Sequence, residues 1–257
     1  MNMYQKLVAK AGVAALAAAF VVGAASDANA AMKLLLWDPI MGGTPLTAGV
    51  IVVDDGPGDA AFLVPGMIVY SGAVGPRWPI NVTTGLSKPI LGSATSPHMD
   101  LNSVDVSWGF APAALFIALT DTHFLSPLAP LGMEIGIGGT TPGAVVYGAG
   151  ADPGNDAFCE DFGCSETLGP LGFLGPGAFS AEEDGTVGPH PGSADEFYSL
   201  TQWVLIVHDA GDYVTSFNAD LHGDGDSVPV PEPASLSLLG LGLAGVAAVS
   251  RRRQSRG

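Results

Sequence analysis

Residues 197–221 read FYSLTQWVLIVHDAGDYVTSFNADL, and this stretch decides the fold class. The first half, residues 197–209, is rich in apolar residues, which indicates a long, largely buried strand. In the second half, alternate residues suit one face of a half-buried strand, and they are Tyr213, Thr215, Phe217, Ala219 and Leu221. Residues 209–212 contain Gly211 and predict a short-loop hairpin between the two strands. We therefore expect an antiparallel β domain.

The region before this hairpin repeats the strand pattern in shorter segments. In residues 104–110, apolar and polar or small side chains alternate, so the sequence predicts a strand with one buried and one solvent-exposed face. The predicted buried face holds Val104, Val106, Trp108 and Phe110. The predicted exposed face holds Asp105, Ser107 and Gly109. Further strands are predicted at 33–37, 49–53, 60–64, 67–70, 115–120, 133–137 and 144–147. Many short strands with Gly and Pro turns, and no long 3.6-residue apolar period, predict an all-β fold, a jelly-roll-like β-sandwich.

The first thirty residues fit a secretory signal peptide. Lys6 and Lys10 supply the positive segment, residues 11–25 are almost wholly apolar, and the small residues Ala28 and Ala30 form a signal-peptidase site before Ala31. A membrane anchor is the alternative, but the apolar run is shorter than the roughly 20 residues of a spanning helix. We expect export and removal of residues 1–30.

The C-terminal segment combines three features in a fixed order. These are the triplet Pro231, Glu232 and Pro233, an apolar run over 234–249, and a basic cluster of Arg251, Arg252 and Arg253 with Arg256. As a helix the apolar run would reach about 24 Å, less than the roughly 30 Å hydrocarbon core, which suits transient membrane anchoring. The arginines would stay on the cytoplasmic side, so the residues before Pro231 would lie outside the cytoplasm.

The tail VPEPASLSLLGLGLAGVAAVSRRR, residues 230–253, resembles the sorting signal of PEP-CTERM proteins of Gram-negative bacteria. The strands ALFIALTDTHF and YSLTQWVLIVHDAGDYVTSFNADL are also similar to strands of the exported part of such proteins. The resemblance implies processing by an exosortase near the Pro-Glu-Pro triplet, and release or attachment at the surface of a cell that makes exopolysaccharide and biofilm. An ordinary C-terminal anchor is the alternative.

The expected organisation is a signal peptide over 1–30, a β-sandwich over 31–221, a linker over 222–230 and a sorting tail over 231–257. Residues 31–230 hold 23 acidic and three basic side chains, a charge that repels nucleic acid and anionic membranes. The cysteines Cys159 and Cys164 are predicted to form a disulfide, because the exported compartment is oxidising; a free pair or a metal site are the alternatives. Around them, residues 148–195 form either a Gly/Pro-rich surface excursion or hidden short strands near 169–179.

No catalytic or metal site is predicted from motifs. The histidines lie singly at His98, His123, His190, His208 and His222, and no Ser nucleophile elbow or P-loop is present. Acidic side chains such as Asp54, Asp55 and Asp59, or Glu182, Glu183 and Asp184, are too many to nominate a catalytic pair. We expect no cofactor, although the acidic, glycine-containing loops 152–161 and 220–226 could hold one calcium ion.

The sequence therefore favours an exported surface or extracellular-matrix protein without catalysis of its own. Its expected partners are signal peptidase and an exosortase during processing, and exopolysaccharide afterwards. The alternative is a carbohydrate-binding or adhesin-like module in which Trp37, Trp78 or Trp108 stacks on sugar rings. A secreted hydrolase is a lesser alternative.

Overall fold

The computed structural model describes residues 32–107, 111–159, 163–189 and 197–223, and it confirms the all-β prediction. The strands in this part of the chain are β1 (Lys33–Trp37), β2 (Val50–Val53), β3 (Met67–Val74), β4 (Trp78–Leu86), β5 (His98–Ser107), β6 (Ala113–Leu125), β7 (Leu131–Thr141), β8 (Ala144–Asp152), β9 (Glu166–Leu174), β10 (Gly177–Val187), β11 (Phe197–His208) and β12 (Tyr213–Gly223). A 3₁₀ turn at Pro39–Met41 and the short helix α1 (Pro45–Ala48) lie between β1 and β2.

The strands form two six-stranded antiparallel sheets. The front sheet has the order β2-β1-β6-β11-β8-β9, and the back sheet has the order β10-β7-β12-β5-β4-β3. The later strands pair in a nested way, β8 with β9, β7 with β10, β6 with β11 and β5 with β12. These nested pairs alternate between the two sheets along the chain, so each sheet contains strands that are distant in sequence.

Both sheets contribute to one apolar core. The front sheet supplies residues such as Leu36, Leu119 and Ile206, and the back sheet supplies residues such as Met99, Ile135 and Leu221, all almost fully buried. Trp78, Tyr147 and Tyr198 are the largest side chains enclosed there. The arrangement is that of two sheets packed face to face. Each sheet therefore has an inner face in the core and an outer face on the other side.

Strand β6 is buried on both sides, and residues 113–119 within it are all apolar. Its inner residues Leu115, Ile117 and Leu119 belong to the shared core. On its outer face, Ala118 packs with Leu35 and Phe158 in a second apolar cluster. A segment outside the sheets therefore covers part of the front sheet.

The predicted facing of residues 104–110 is wrong where the structure describes it. Met99 and Leu101 point into the core, and because strand facing alternates, Ser103 and Asp105 follow them there. Val104 instead lies half-buried on the opposite face. Residues 108–110 lie outside the described residues.

The predicted hairpin at 209–212 is also wrong. Strand β11 lies in the front sheet between β6 and β8, whereas β12 lies in the back sheet between β7 and β5. Four extended residues reach about 13 Å, which is enough to cross the roughly 10 Å between packed sheets. Loop length alone therefore does not distinguish a hairpin from a crossing connection.

Four further segments can be compared with the sequence prediction. Residues 60–64, predicted as a strand, form turns, because nearby aspartates accept their backbone N–H groups. The 148–195 region contains β9 and β10, which supports the alternative of hidden strands, and β4 was not predicted. Strand β12 continues through His222 to Gly223, two residues beyond the end of the predicted strand at Leu221.

We predict that Asp105 makes the stability of the domain fall as pH rises from 4 to 7. Burial raises the pKa of Asp105 to about 7, although a hydrogen bond from Ser103 Oγ lowers it. The folded chain then holds a proton that the unfolded chain releases near pH 4, and each pH unit in this window lowers the unfolding free energy by about 1.4 kcal/mol. Asp105→Asn should remove this contribution to the slope in urea unfolding, while the contribution of Asp100, whose pKa is also raised, remains.

The exposed carboxylate variant Asp209→Asn serves as the control and should follow the wild-type pH profile. A difference between Asp105→Asn and wild type that stays constant from pH 4 to 7 would contradict the prediction.

Candidate functional site

The outer face of the front sheet carries a cluster of aromatic side chains. Trp37 on β1 lies directly opposite Phe116 on β6, and their ring centroids are 6.5 Å apart in an edge-to-face arrangement. Phe116 also stacks with Trp203 on β11, with ring centroids 6.0 Å apart and planes inclined by 19°. All three side chains are half-buried. We call Trp37, Phe116 and Trp203 the aromatic face.

A glycine on the neighbouring strand lets Trp203 lie down on the sheet. Gly148 on β8 is directly opposite Trp203, and a Cβ atom there would lie 2.6 Å from the indole ring. Any larger residue would push the indole away from the strand. The pairing of tryptophan with glycine thus sets the orientation of the ring.

One edge of the aromatic face is closed by the loop after β8. Phe158 is buried against Leu35 and Ala118, and its backbone N–H donates to Thr120 Oγ1 at 3.1 Å. The next residue, Cys159, forms the predicted disulfide with Cys164. The disulfide therefore holds the loop that borders the aromatic face.

The outer face of the back sheet is polar instead. Its side chains on β5, β7, β10 and β12 include His98, Asp100, Asn102, Glu134, Ser180, Glu182, Asn218, Asp220 and His222. Gly136 and Gly138 on β7 have no side chains, and they form the floor of a groove of about 240 Å³. We call this the polar groove. It is lined by carboxylates, an amide and a hydroxyl rather than by rings.

Two carboxyl groups beside the polar groove have pKa values shifted in opposite directions. Asp100 and Asp220 are directly opposite each other on β5 and β12. Burial and then the charge of Asp220 raise the pKa of Asp100 to about 6, although His98 and Asn218 lower it. Burial would also raise the pKa of Asp220, but hydrogen bonds and charge from His98 and His222 bring it below its usual value. Asp100 therefore holds its proton to a higher pH than Asp220 does.

In the described residues, two separate groups of side chains each have a geometry that could hold a metal ion. One is His98, Asp220 and His222, and the other is Asp54, Asp55 and Asp59. In the second group each carboxylate already accepts backbone N–H groups, from Gly66, Leu63 and Ala61 respectively. These bonds organise the turns after β2 and account for the acidic cluster without an ion.

In the two loops that were candidates for calcium binding, the described side chains have different partners. In the loop 152–161, Asp152 accepts hydrogen bonds from the Asp156 backbone N–H and from Ser165 Oγ. The side chain of Asn155 accepts the backbone N–H of His123. In the loop 220–226, Asp220 and His222 join the first metal-ligating group, while residues 224–226 lie outside the described residues.

The structure places the tryptophans nominated from the sequence in different environments. Trp37 belongs to the aromatic face, whereas Trp78 is fully buried in the core, so its nomination for sugar stacking is wrong. Trp108 lies outside the described residues. Trp203 was missed because it stands in a continuous apolar run, in which neither face of the strand is distinguished.

The residues predicted for processing lie outside the described residues. They are Ala28, Ala30 and Ala31 of the signal site, the triplet Pro231, Glu232 and Pro233, and the arginines Arg251, Arg252 and Arg253. Of the other histidines, His208 is buried and bonded to Thr215 Oγ1, and His123 contacts Thr122 and Phe197. In the described residues, no helix combines the length and apolar character needed to cross a membrane.

Comparison with solved structures finds only distant likeness. The enzymatically active domain of tailspike protein 4 of bacteriophage CBA120 is 9% identical, with a TM-score of 0.28 over 55% of this chain and 19% of that chain. TmCBM61, solved in complex with β-1,4-galactotriose, is 11% identical, with a TM-score of 0.20 over 58% of this chain and 90% of that chain. The chain thus spans about a fifth of the tailspike domain. Likeness at this level does not identify the function of this chain.

No curated protein matches the chain. Residues 229–253 match the sequence model of the PEP-CTERM protein-sorting motif. This match covers the Pro-Glu-Pro triplet, the apolar run and the arginine cluster, the same three features that carried the resemblance. The chain therefore carries a PEP-CTERM protein-sorting motif, consistent with an exosortase substrate that is exported to the surface or beyond the cell after membrane anchoring.

Proposed function

We propose that the chain is a non-catalytic component of the cell surface or extracellular matrix, cleaved by signal peptidase and then sorted and cleaved by an exosortase. The observation that carries the proposal is the sorting motif at residues 229–253. The disulfide between Cys159 and Cys164 and the strong negative charge suit an oxidising, extracellular setting. The domain that this route delivers would act in a matrix of exopolysaccharide.

The nested strand pairing supports the finer fold assignment within this proposal. Pairs β5–β12, β6–β11, β7–β10 and β8–β9, alternating between sheets, follow the connectivity of a jelly roll. Jelly rolls include lectin domains as well as capsid proteins, so this fold is compatible with display and with ligand binding.

Processing is tested by the intact mass of protein recovered from the surface and medium of the native host. We expect a chain that starts at Ala31 and ends near Pro231. A variant with Pro231, Glu232 and Pro233 replaced by alanine should keep its tail and stay with the membrane fraction. Wild-type protein recovered with an intact tail through Arg256 would contradict exosortase processing.

A second candidate function is carbohydrate binding by the aromatic face, and a specific observation favours it. Phe116 and Trp203 present nearly parallel, half-buried rings on the outer face of the front sheet, next to Trp37. Aromatic rings pair an apolar surface with defined stacking geometry, which suits the apolar face of a sugar ring. Because residues 31–230 are strongly acidic, the ligand class is a neutral polysaccharide rather than a polyanion.

Trp203→Ala should weaken binding of the full chain to neutral polysaccharides in affinity electrophoresis. The loss of a central aromatic contact is expected to cost about 2 kcal/mol, or roughly 30-fold in Kd. The control is Phe62→Ala, which removes an exposed ring from the turns after β2. Binding that Trp203→Ala leaves unchanged, or that Phe62→Ala weakens equally, would rule out the aromatic face as the binding site.

The hydrolase alternative has its own test in the pair Asp100 and Asp220. Carboxyl groups with pKa values pushed apart can act as general acid and general base. Our proposal expects no turnover in a screen of neutral and acidic polysaccharides. Hydrolysis that disappears in both Asp100→Asn and Asp220→Asn, but persists in Asp209→Asn, would replace the non-catalytic proposal with an enzymatic one.

A further inference from the structure

Two histidines and an aspartate meet at one end of the polar groove. His98 on β5 and His222 on β12 are directly opposite each other in the sheet, and Asp220 precedes His222 by two residues on the same face. The Asp220 carboxylate contacts both rings, with Oδ2 at 2.7 Å from His98 Nε2 and Oδ1 at 2.6 Å from His222 Nδ1. Both histidine side chains are 36% exposed, so an ion can reach them from solvent.

We propose that His98 Nε2, His222 Nδ1 and the Asp220 carboxylate bind one divalent transition-metal ion of the zinc class. Two imidazole nitrogens and a carboxylate oxygen are ligands that zinc accepts, whereas calcium takes oxygen ligands alone. This inference goes beyond the proposed function, because it concerns the back sheet and does not depend on the aromatic face.

The distances in this group fit a metal site after a small adjustment. The three ligand atoms lie within 4.8 Å of one another. Zinc bonds to nitrogen and oxygen of about 2.0–2.2 Å place neighbouring tetrahedral ligands about 3.3 Å apart. The ion would take the place of the protons between the rings and the carboxylate, and small ring rotations would open the two nitrogen–oxygen distances. No change in the strands is required, because the backbone register already sets the ligands side by side.

A carboxylate beyond the three ligands supports the same assignment. Glu134 on β7 is directly opposite His222, and its Oε2 lies 3.5 Å from His222 Nε2. When Nδ1 holds the metal, the proton of that ring is on Nε2 and faces Glu134. A carboxylate in this position orients metal-binding histidines and makes them more basic. Glu134 is therefore assigned as a positioning residue for His222.

The surrounding charge also favours a cation. Asp100 lies opposite Asp220 in the sheet and adds a further carboxyl group beside the three ligands. Of the three basic residues in 31–230, Arg77 pairs with Asp38 at 3.1 Å and Lys88 pairs with Asp121 at 2.8 Å. The third, Lys33, lies on β1 in the front sheet. In the part of the chain that the structure describes, no lysine or arginine offsets the negative charge of the polar groove.

The test is calorimetric titration of Zn²⁺ into the full chain, treated with a chelator and carrying no histidine tag. We expect one ion per chain with a Kd of about 1 µM or tighter. His98→Gln and His222→Gln should each weaken binding by more than about 100-fold, and Glu134→Gln by about 10-fold to 100-fold at unchanged stoichiometry.

The matched control is His123→Asn, which removes an imidazole outside the group and suits the left-handed backbone at that position, where φ is 63°. Thermal unfolding in chelator should stay cooperative for all variants, because the substituted side chains are partly exposed and lie outside the core. Absence of zinc binding by the wild-type chain would overturn the proposal, as would binding that survives in both His98→Gln and His222→Gln. Calcium binding that these two substitutions abolish, without zinc binding, would overturn the choice of metal.

Discussion

Every strand of the two sheets gives one of its faces to the shared core, because successive side chains of a strand point to opposite sides. Facing is therefore decided by the most apolar alternate positions, and polar residues in the same register go inward with them. Asp105 follows Met99 and Leu101 into the core in this way. The outer faces do not have to fill the core, so their side chains can differ between the sheets. The front sheet carries aromatic rings on its outer face, and the back sheet carries imidazoles and carboxylates.

The part of the fold that could be predicted from sequence is the part with a strong local pattern. Strands β1, β11 and β12 follow their apolar patterns closely. Strand β4 was missed because Pro79 and Gly85 interrupt it, and β9 and β10 because glycine, proline and acids dominate them. In these strands the stabilising contacts come from neighbouring strands rather than from local propensity.

The candidate sites also differ in how far a local sequence pattern could predict them. The disulfide between Cys159 and Cys164 could be predicted, because the two cysteines are close in sequence and the exported compartment is oxidising. The group of His98, Asp220 and His222 could not, because 122 positions separate His98 from Asp220 and only the β5–β12 register brings them together. The aromatic face was found in part, through Trp37, but its second tryptophan has no local signal that separates it from core residues.

The position of β11 and β12 also bears on when the domain can fold. These are the last two described strands in the chain, yet each lies inside its sheet with a neighbour on both sides. Until residues 197–223 are present, β6 and β8 have no strand between them, and neither do β5 and β7. Neither sheet can therefore be completed until nearly the whole domain has been synthesised. The sorting motif at 229–253 follows within a few residues, so the last strand of the fold and the sorting motif are adjacent in the chain.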